Sequence, residues 1–278
     1  ATPSTQVQEA QPVQYGWVSR IGLHAYAVLD VIEKSAIFTG EVVLGFVRLV
    51  SRRARMRSTD FWNAFQQCGP GALPIVALIS ILVGLILAFV GAVQLAAFGA
   101  QIYIANMVAI GMTREMGALM TAVIMAGRTG AAYAAELGSM QANEEVDALK
   151  TFGFPPMEFL VLPRVLALLI SMPILTCFAD ALGILGGFTI GYAMYDISAA
   201  QYWEQTLSML ASKDVLIGVF KSLVFALLIA MIGCYYGLNC ARNAQAVGQA
   251  TTRAVVSIIV ALVVCDATIT VICTQLGI

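Results

Sequence analysis

Five long apolar runs limit what this chain can become. They fall at about 73–95, 102–126, 165–194, 215–238 and 254–276. A helix needs roughly 20 predominantly apolar residues to cross the hydrocarbon core of a bilayer, and each run supplies them. The first run has no ionisable side chain, and the helical pattern of the second extends toward Leu137. In hydrocarbon every backbone N–H and C=O must be paired within its own segment, so runs of this kind become helices. The expected fold class is an all-α integral membrane protein with about five transmembrane helices. Composition agrees: 60% of the 278 residues are hydrophobic and 11% are charged, against about 25% charged in soluble domains. The net charge of −1 gives no sign of a nucleic-acid partner.

The residues before the first run read differently. Residues 1–14 are rich in Gln, Pro, Ser and Thr, which is the composition of a disordered tail or linker. They lack the basic start and apolar core of a signal peptide. The chain begins at Ala1, not Met, which leaves processing or an upstream domain open. Over 15–57, Val28, Val31, Ile32, Ser35, Phe38, Val42, Phe46 and Val50 roughly follow helical spacing. Asp30, Glu33, Lys34 and Glu41 interrupt them, and Arg48, Arg52, Arg53, Arg55 and Arg57 close the segment. An amphipathic helix in the membrane interface, its arginines among lipid headgroups, fits this pattern. A soluble helical hairpin packed beneath the spans is the alternative. Ser58-Thr59-Asp60 is a helix-start signal with Asp60 as N-cap. Phe61, Trp62 and Phe65 suit an interfacial aromatic anchor before Gly69-Pro70-Gly71 breaks the helix. The chain thus divides into a tail (1–14), N-terminal interfacial helices (15–70) and a transmembrane domain (71–278).

Charge is gathered in one place. Glu136, Glu144, Glu145, Asp147, Lys150, Glu158 and Arg164 form a polar island over 135–164, between the second and third runs. The distribution of basic residues predicts its side. The arginines before the first run, then Arg128, Lys150 and Arg164, then Arg242 and Arg253 mark cytoplasmic segments. Residues 94–101 have no basic residue and the loop around 196–214 has only Lys213, so both face outward. The N-terminus is then inside and the C-terminus outside. The island lies in the cytoplasm, within reach of a soluble partner.

Five ionisable side chains lie inside the runs: Arg114, Glu115, Asp180, Lys221 and Asp266. Each costs at least about 2.5–3.5 kcal/mol at the membrane centre unless it finds a partner or a wet cavity. Arg114 and Glu115 sit about a dozen residues into the second run, or roughly 18 Å along a helix. Adjacent helical residues point about 100° apart, so these two meet different helices. The expectation is that Lys221 pairs with Glu115 or Asp266, and that Arg114 faces an acid or a lipid headgroup. Either the five form a polar network that lines a substrate path, or they form a static network that fixes helix packing. Gly183, Gly187 and Gly191 recur every fourth residue and make a smooth face for close helix approach. That approach is either inside one subunit or across a dimer. Pro173 is expected to kink the third span, with neighbouring helices satisfying the carbonyl it frees.

Several chemistries have no residues to support them. No Lys follows a Gly, so there is no G-x-x-x-x-G-K-[ST] loop for ATP. There is no G-x-S-x-G, and the single His24 excludes His-Glu-x-x-His. Six scattered Cys without a Cys-x-x-Cys suggest neither a zinc site nor a disulfide framework, so no metal is expected. Cys177, Cys234, Cys265 and Cys273 lie in apolar runs as small core residues.

A family pattern runs through the same stretch. Its residues are Arg114-Glu115-x-Gly117, Ala126-Gly127-Arg128-x-Gly130, Ala135-Glu136-x-Gly138-x-Met140, Pro163-Arg164, Pro173 and Gly183-x-x-Gly186-Gly187. Lys221-Ser222-x-Val224-Phe225, Ala250-Thr251-Thr252-Arg253-x-Val255-Val256 and Asp266 follow in order. This resembles the MlaE/YrbE family, the permeases of MCE-linked ABC lipid transporters. Asp147-Ala148-Leu149, Gly153 and Leu162-Pro163-Arg164 resemble the "EAA" coupling loop of ABC permeases, with Asp147 where Glu is usual. Asp180 is outside the family pattern.

The resemblance implies a homodimeric permease in an inner membrane, with ATP and Mg held by two copies of a separate ATPase and no cofactor in this chain. A ring of MCE-domain proteins on the outer face and an STAS-domain protein near the ATPase are implied as well. The substrate would be phospholipid or a related lipid passing between inner and outer membranes, its acyl chains in an apolar cavity. Arg114 or Lys221 would stand near the headgroup phosphate. Glu136, Glu144, Glu145, Asp147, Leu149 and Gly153 are the candidates for coupling to the ATPase. Two other functions use the same residues: a proton-driven secondary transporter relaying through Glu115, Asp180 and Asp266, and a membrane anchor that only docks an MCE ring.

Overall fold

The structure is a computed structural model that describes residues 17–51 and 56–277. The tail at 1–14 and Arg52, Arg53 and Arg55 lie outside the described residues, as do the side chains of Val28, Val31 and Val50. Among the described residues every regular element is a helix. Contacts divide the chain into residues 1–41 and 42–278. Helix α1, Trp17–Val50, runs through that division. In the first unit Lys34 lies 2.6 Å from Asp30 one turn back, a pair of the kind that steadies an exposed helix.

The second unit contains five stretches long and apolar enough to cross a membrane: Ser58–Ala96, Gln101–Ala142, Met157–Tyr195, Ser212–Leu238 and Ala244–Gln275. The first joins α2 (Ser58–Cys68) to α3 (Leu73–Ala96) through a single 3-10 turn at Pro70–Ala72. Gly69-Pro70-Gly71 therefore bends the chain without ending the stretch. Arg128 holds this bend, its guanidinium donating to the Gln67 carbonyl at 2.9 Å near the C-terminus of α2. A Cβ on Gly71 would press on the same guanidinium at 2.8 Å.

The second stretch is not one regular helix. It is α4 (Ile104–Gly111), α5 (Gly117–Met125) and α6 (Ala131–Ala142), joined by π-helical turns at Met112–Met116 and Ala126–Gly130. The short α7, Glu145–Thr151, follows outside the spans. A third π turn, Met157–Val161, leads into α8, Leu162–Tyr195, which continues through Pro173. After α9 (Ala199–Met209), α10 (Ser212–Leu238) and α11 (Ala244–Gln275) complete the unit as a hairpin.

Packing follows small residues, because lipid tails give helices no hydrophobic reason to associate and close backbone approach must supply the attraction. Helix α3 buries Val76, Ser80, Gly84, Ala88, Gly91 and Ala92. A Cβ on Gly84 would collide with the Gly183 carbonyl, and one on Gly186 with the Ile81 carbonyl, so α3 and α8 meet backbone to backbone. Gly183 faces Met112, Gly187 faces Val108 and Tyr202, and Gly191 faces the Tyr202 ring. This glycine face is thus filled by the chain's own α4, the Met112–Met116 turn and α9. On α10, Gly218 abuts the Thr113 carbonyl, Gly233 the Gly130 carbonyl and Gly237 the side chain of Leu137.

Helix α9 is set by a capping box between Ser198 and Gln201. Its Tyr202 is buried, donates to the Ile184 carbonyl at 3.2 Å, and has its phenol pKa pushed up by desolvation. The outward faces stay apolar: Leu78, Ile86 and Val93 on α3, and Val256, Val260, Val264 and Val271 on α11, are exposed. Lipid or another subunit must cover surfaces of this kind.

Candidate functional site

The inward stripe of α11 has a four-residue period: Ala250, Ala254, Ile258 and Leu262 are buried. Continuing the period reaches Asp266 and then Thr270. The inward stripe of α10 includes Asp214, Gly218, Lys221, Phe225, Ile229 and Gly233. Both stripes face the second span at the π turn Met112–Met116, which carries Arg114 and Glu115. A π turn shifts the hydrogen bonds to i→i+5 and is found frequently at functional sites.

Lys221 sits at the centre with its side chain only 1% exposed. Its ammonium has three hydrogens and three oxygens around it: Glu115 Oε2 at 2.5 Å, Thr270 Oγ1 at 2.8 Å and Asp266 Oδ1 at 2.9 Å. The Asp266 contact is an ion pair without hydrogen-bond alignment. The Thr270 hydroxyl donates in turn to Glu115 Oε1 at 3.2 Å. One ammonium therefore faces two carboxylates. Beside this group Arg114 donates to Asp214 at 3.3 Å. The two neighbours in the π turn use different partners: Glu115 meets Lys221 and Thr270, and Arg114 meets Asp214. The acids and bases on one side all belong to α10 and α11, and those on the other all belong to the second span, so the cluster is the seam between them.

Of the five ionisable residues picked out in the sequence, four gather here and Asp180 does not. Asp180 is buried against Gly117, where a Cβ would strike its Oδ1. Its Oδ1, like the hydroxyls of Thr121 and Thr176, has no hydrogen-bond partner among the described residues. Asp214 and Thr270 were missed by sequence reasoning, which sought charges deep in the runs. The helical stripes could have found both, since Asp214 lies seven residues before Lys221 and Thr270 four after Asp266.

The polar island resolves into three parts. Glu136, on α6, pairs with Arg164 at 3.1 Å, and that guanidinium lies 5.7 Å from the centroid of the Tyr133 ring. Glu158, buried in the third π turn, lies 2.6 Å from Arg48. Between them α7 is bracketed by two left-handed residues, Glu144 (φ 61°) and Gly153 (φ 77°). The turn at Gly153 closes with Phe154 N–H on the Leu149 carbonyl at 3.0 Å.

Val146 anchors α7 inward, and Phe152, just after the helix, is 76% exposed. Glu145 accepts from Asn143 at 3.4 Å and Leu149 is half-buried. Asp147 is engaged on both oxygens, by Lys150 at 3.3 Å and by Arg242 at 2.5 Å, and Arg242 also reaches Glu144 at 3.3 Å. Arg242, from the 239–243 loop between α10 and α11, is a residue the sequence reading used only for orientation. Among the described residues no group of three His, Cys, Asp or Glu side chains is placed to hold a metal.

Five spans, a buried ion cluster between them and a short helix outside define a polytopic membrane protein. Comparison narrows this: the family model described as Permease MlaE matches residues 61–272, and the chain belongs to the MlaE permease family. It is 39% identical over 186 residues to a probable ABC transporter permease protein of Rickettsia prowazekii, covering 67% of this chain and 72% of that one. It is 34% identical over 224 residues to a probable ABC transporter permease protein of Synechocystis, covering 81% and 83%. It is also 33% identical over 189 residues to the intermembrane phospholipid transport system permease protein MlaE of Haemophilus influenzae, covering 68% and 72%.

Proposed function

We propose that this chain is the membrane-spanning, non-catalytic subunit of an ABC-type transporter that moves phospholipid or a related lipid between inner and outer membranes. The family match over residues 61–272 carries this reading, and the phospholipid named for the Haemophilus influenzae relative supports the substrate class. A separate ATPase supplies ATP and Mg and docks on α7, where Glu145, Ala148 and, just after the helix, Phe152 are exposed. Two copies of the permease sit in an inner membrane, N-terminus in the cytoplasm and C-terminus in the periplasm. A ring of MCE-domain proteins stands on the outer side, with an STAS-domain protein beside the ATPase. The interfacial placement of α1 and α2 belongs to the same proposal.

In this reading the ion cluster does two things. It lets charged side chains exist among apolar spans by setting Arg114 and Lys221 against Asp214, Glu115 and Asp266, and it gives the seam a polar lining where a phosphate headgroup can meet Arg114, whose side chain is 26% exposed, whereas Lys221, at 1%, is closed off by its own partners. The test is reconstitution. The chain is purified with its ATPase, placed in liposomes, and lipid transfer to acceptor vesicles is followed with and without ATP. Transfer that requires ATP and the ATPase is the expected result. Transfer by the chain alone in nucleotide-free vesicles overturns the reading in favour of an ion-driven carrier. Within the same assay, Asp147→Lys places a cation against Arg242 and is expected to abolish ATPase stimulation or assembly. Unchanged hydrolysis by an intact complex would count against α7 as the coupling element.

A further inference from the structure

The seam between the second span and the α10–α11 hairpin is tied by charge at two places. One tie is the buried cluster of Arg114 and Glu115 with Asp214, Lys221 and Asp266. The other is at the far end of the same elements, where Arg242 of the hairpin loop holds Glu144 at 3.3 Å and Asp147 at 2.5 Å. Between the ties α10 approaches the second span closely at small residues, with Gly233 on the Gly130 carbonyl and Gly237 beside Ala134 and Leu137, while Ile229 and Ile258 pack on Gly130.

We infer that Arg242 is a clasp through which movement of α7 is passed to the α10–α11 hairpin, and that this hairpin is the element that moves against the second span. This rests on the proposed coupling role of α7. Two observations carry it further than that role. First, α7 is bounded at both ends by the left-handed residues Glu144 and Gly153, and residues at the ends of an element are where the backbone change is absorbed when the element turns. Among the described residues its ion pairs to the hairpin are with Arg242.

Second, the two ties differ in kind. The clasp is exposed, with side-chain exposures of 53% for Arg242, 69% for Glu144 and 37% for Asp147. Exposed pairs form and break at little cost. The cluster is centred on Lys221, whose side chain is 1% exposed, and its partners are at most 27% exposed. A docked partner competing for Glu144 or Asp147 therefore opens the clasp first. The hairpin then slides and carries Asp214, Lys221, Asp266 and Thr270 together past Arg114 and Glu115. Lys150, already 3.3 Å from Asp147, offers that carboxylate an alternative partner once Arg242 lets go.

The experiment compares Arg242→Gln and Arg242→Lys with the unaltered chain, each in complex with the ATPase in liposomes. Three quantities are read: ATPase bound per permease, ATP hydrolysis, and lipid transferred per ATP. A spin-label distance between the 239–243 loop and α6 is measured alongside, with and without nucleotide. Arg242→Gln is expected to bind the ATPase and hydrolyse ATP while lipid transferred per ATP falls by roughly tenfold, the size of a typical coupling between sites. Its nucleotide-dependent distance change should vanish, and Arg242→Lys should recover most of both. Lipid transferred per ATP unchanged in Arg242→Gln overturns the clasp. So does loss of ATPase binding in that variant, which makes Arg242 part of the docking surface. If the unaltered chain binds no ATPase at all, the coupling reading of α7 fails, and the clasp fails with it.

Discussion

Lys221 shows what a single residue is asked to do here. Its ammonium is buried at the meeting of three helical segments and neutralised by Glu115 and Asp266. Removing one member of a buried ionic group leaves the others uncompensated, at about 3–5 kcal/mol. Lys221→Met is therefore expected to lower the unfolding midpoint in detergent strongly and to impair lipid transfer at temperatures where it remains folded. Normal transfer by folded Lys221→Met would mean that the cluster serves packing alone. Glu115→Gln should cost less, because the Glu115 side chain is 27% exposed and Asp266 still faces the ammonium. At the opposite extreme of size, Gly84→Val puts methyl groups where the Gly183 carbonyl lies. Overpacking of this kind costs about 3 kcal/mol, read as loss of the monodisperse protein on size-exclusion chromatography. Gly84 was not singled out in the sequence, where Gly183, Gly187 and Gly191 were. Its neighbours in sequence are bulky, and nothing local says that it faces another glycine.

At the scale of elements, the second span is the least legible part. A helical pattern over 102–126 is visible in the residues. The two π turns that break it are not, because an i→i+5 register is chosen by what presses on the helix. Gly218 of α10 against the Thr113 carbonyl is one such pressure. All three π turns carry ionisable residues: Arg114 and Glu115, Arg128, and Glu158. Element α9 is the opposite case, since Ser198 and Gln201 stand at capping-box spacing and form the box. Ser198→Ala is expected to cost about 1 kcal/mol, seen as faster amide exchange confined to α9, with the spans unaffected. Slowed or unchanged exchange there would show that Tyr202, buried under Gly187 and Gly191, holds the element without its cap.

For the whole molecule, burial is uneven in a way that concerns assembly. The exposed apolar faces of α3 and α11 are wide, and α11 buries only Ala250, Ala254, Ile258 and Leu262. Lipid covers such a face adequately, so exposure alone does not choose between lipid and a second copy. The homodimer therefore makes a separate prediction: native mass spectrometry of the detergent-released complex should show two copies of this chain. A single copy that still transfers lipid would remove the dimer from the proposal while leaving the permease in place.

The residues alone were enough to locate the five spans, the polar island and four of the charged residues that cluster. Transfer of a side chain into hydrocarbon is a local cost, paid residue by residue, and so it is written in the order of the chain. Choice of partner is not local. Lys221 meets Glu115, Asp266 and Thr270 because three segments distant in sequence arrive at the same depth with the right faces turned inward. Asp180, also buried, misses that meeting because it lies on a face of α8 turned to Gly117. The bracing of α7 by Arg242 was likewise decided only when the hairpin loop and the end of the second span came together.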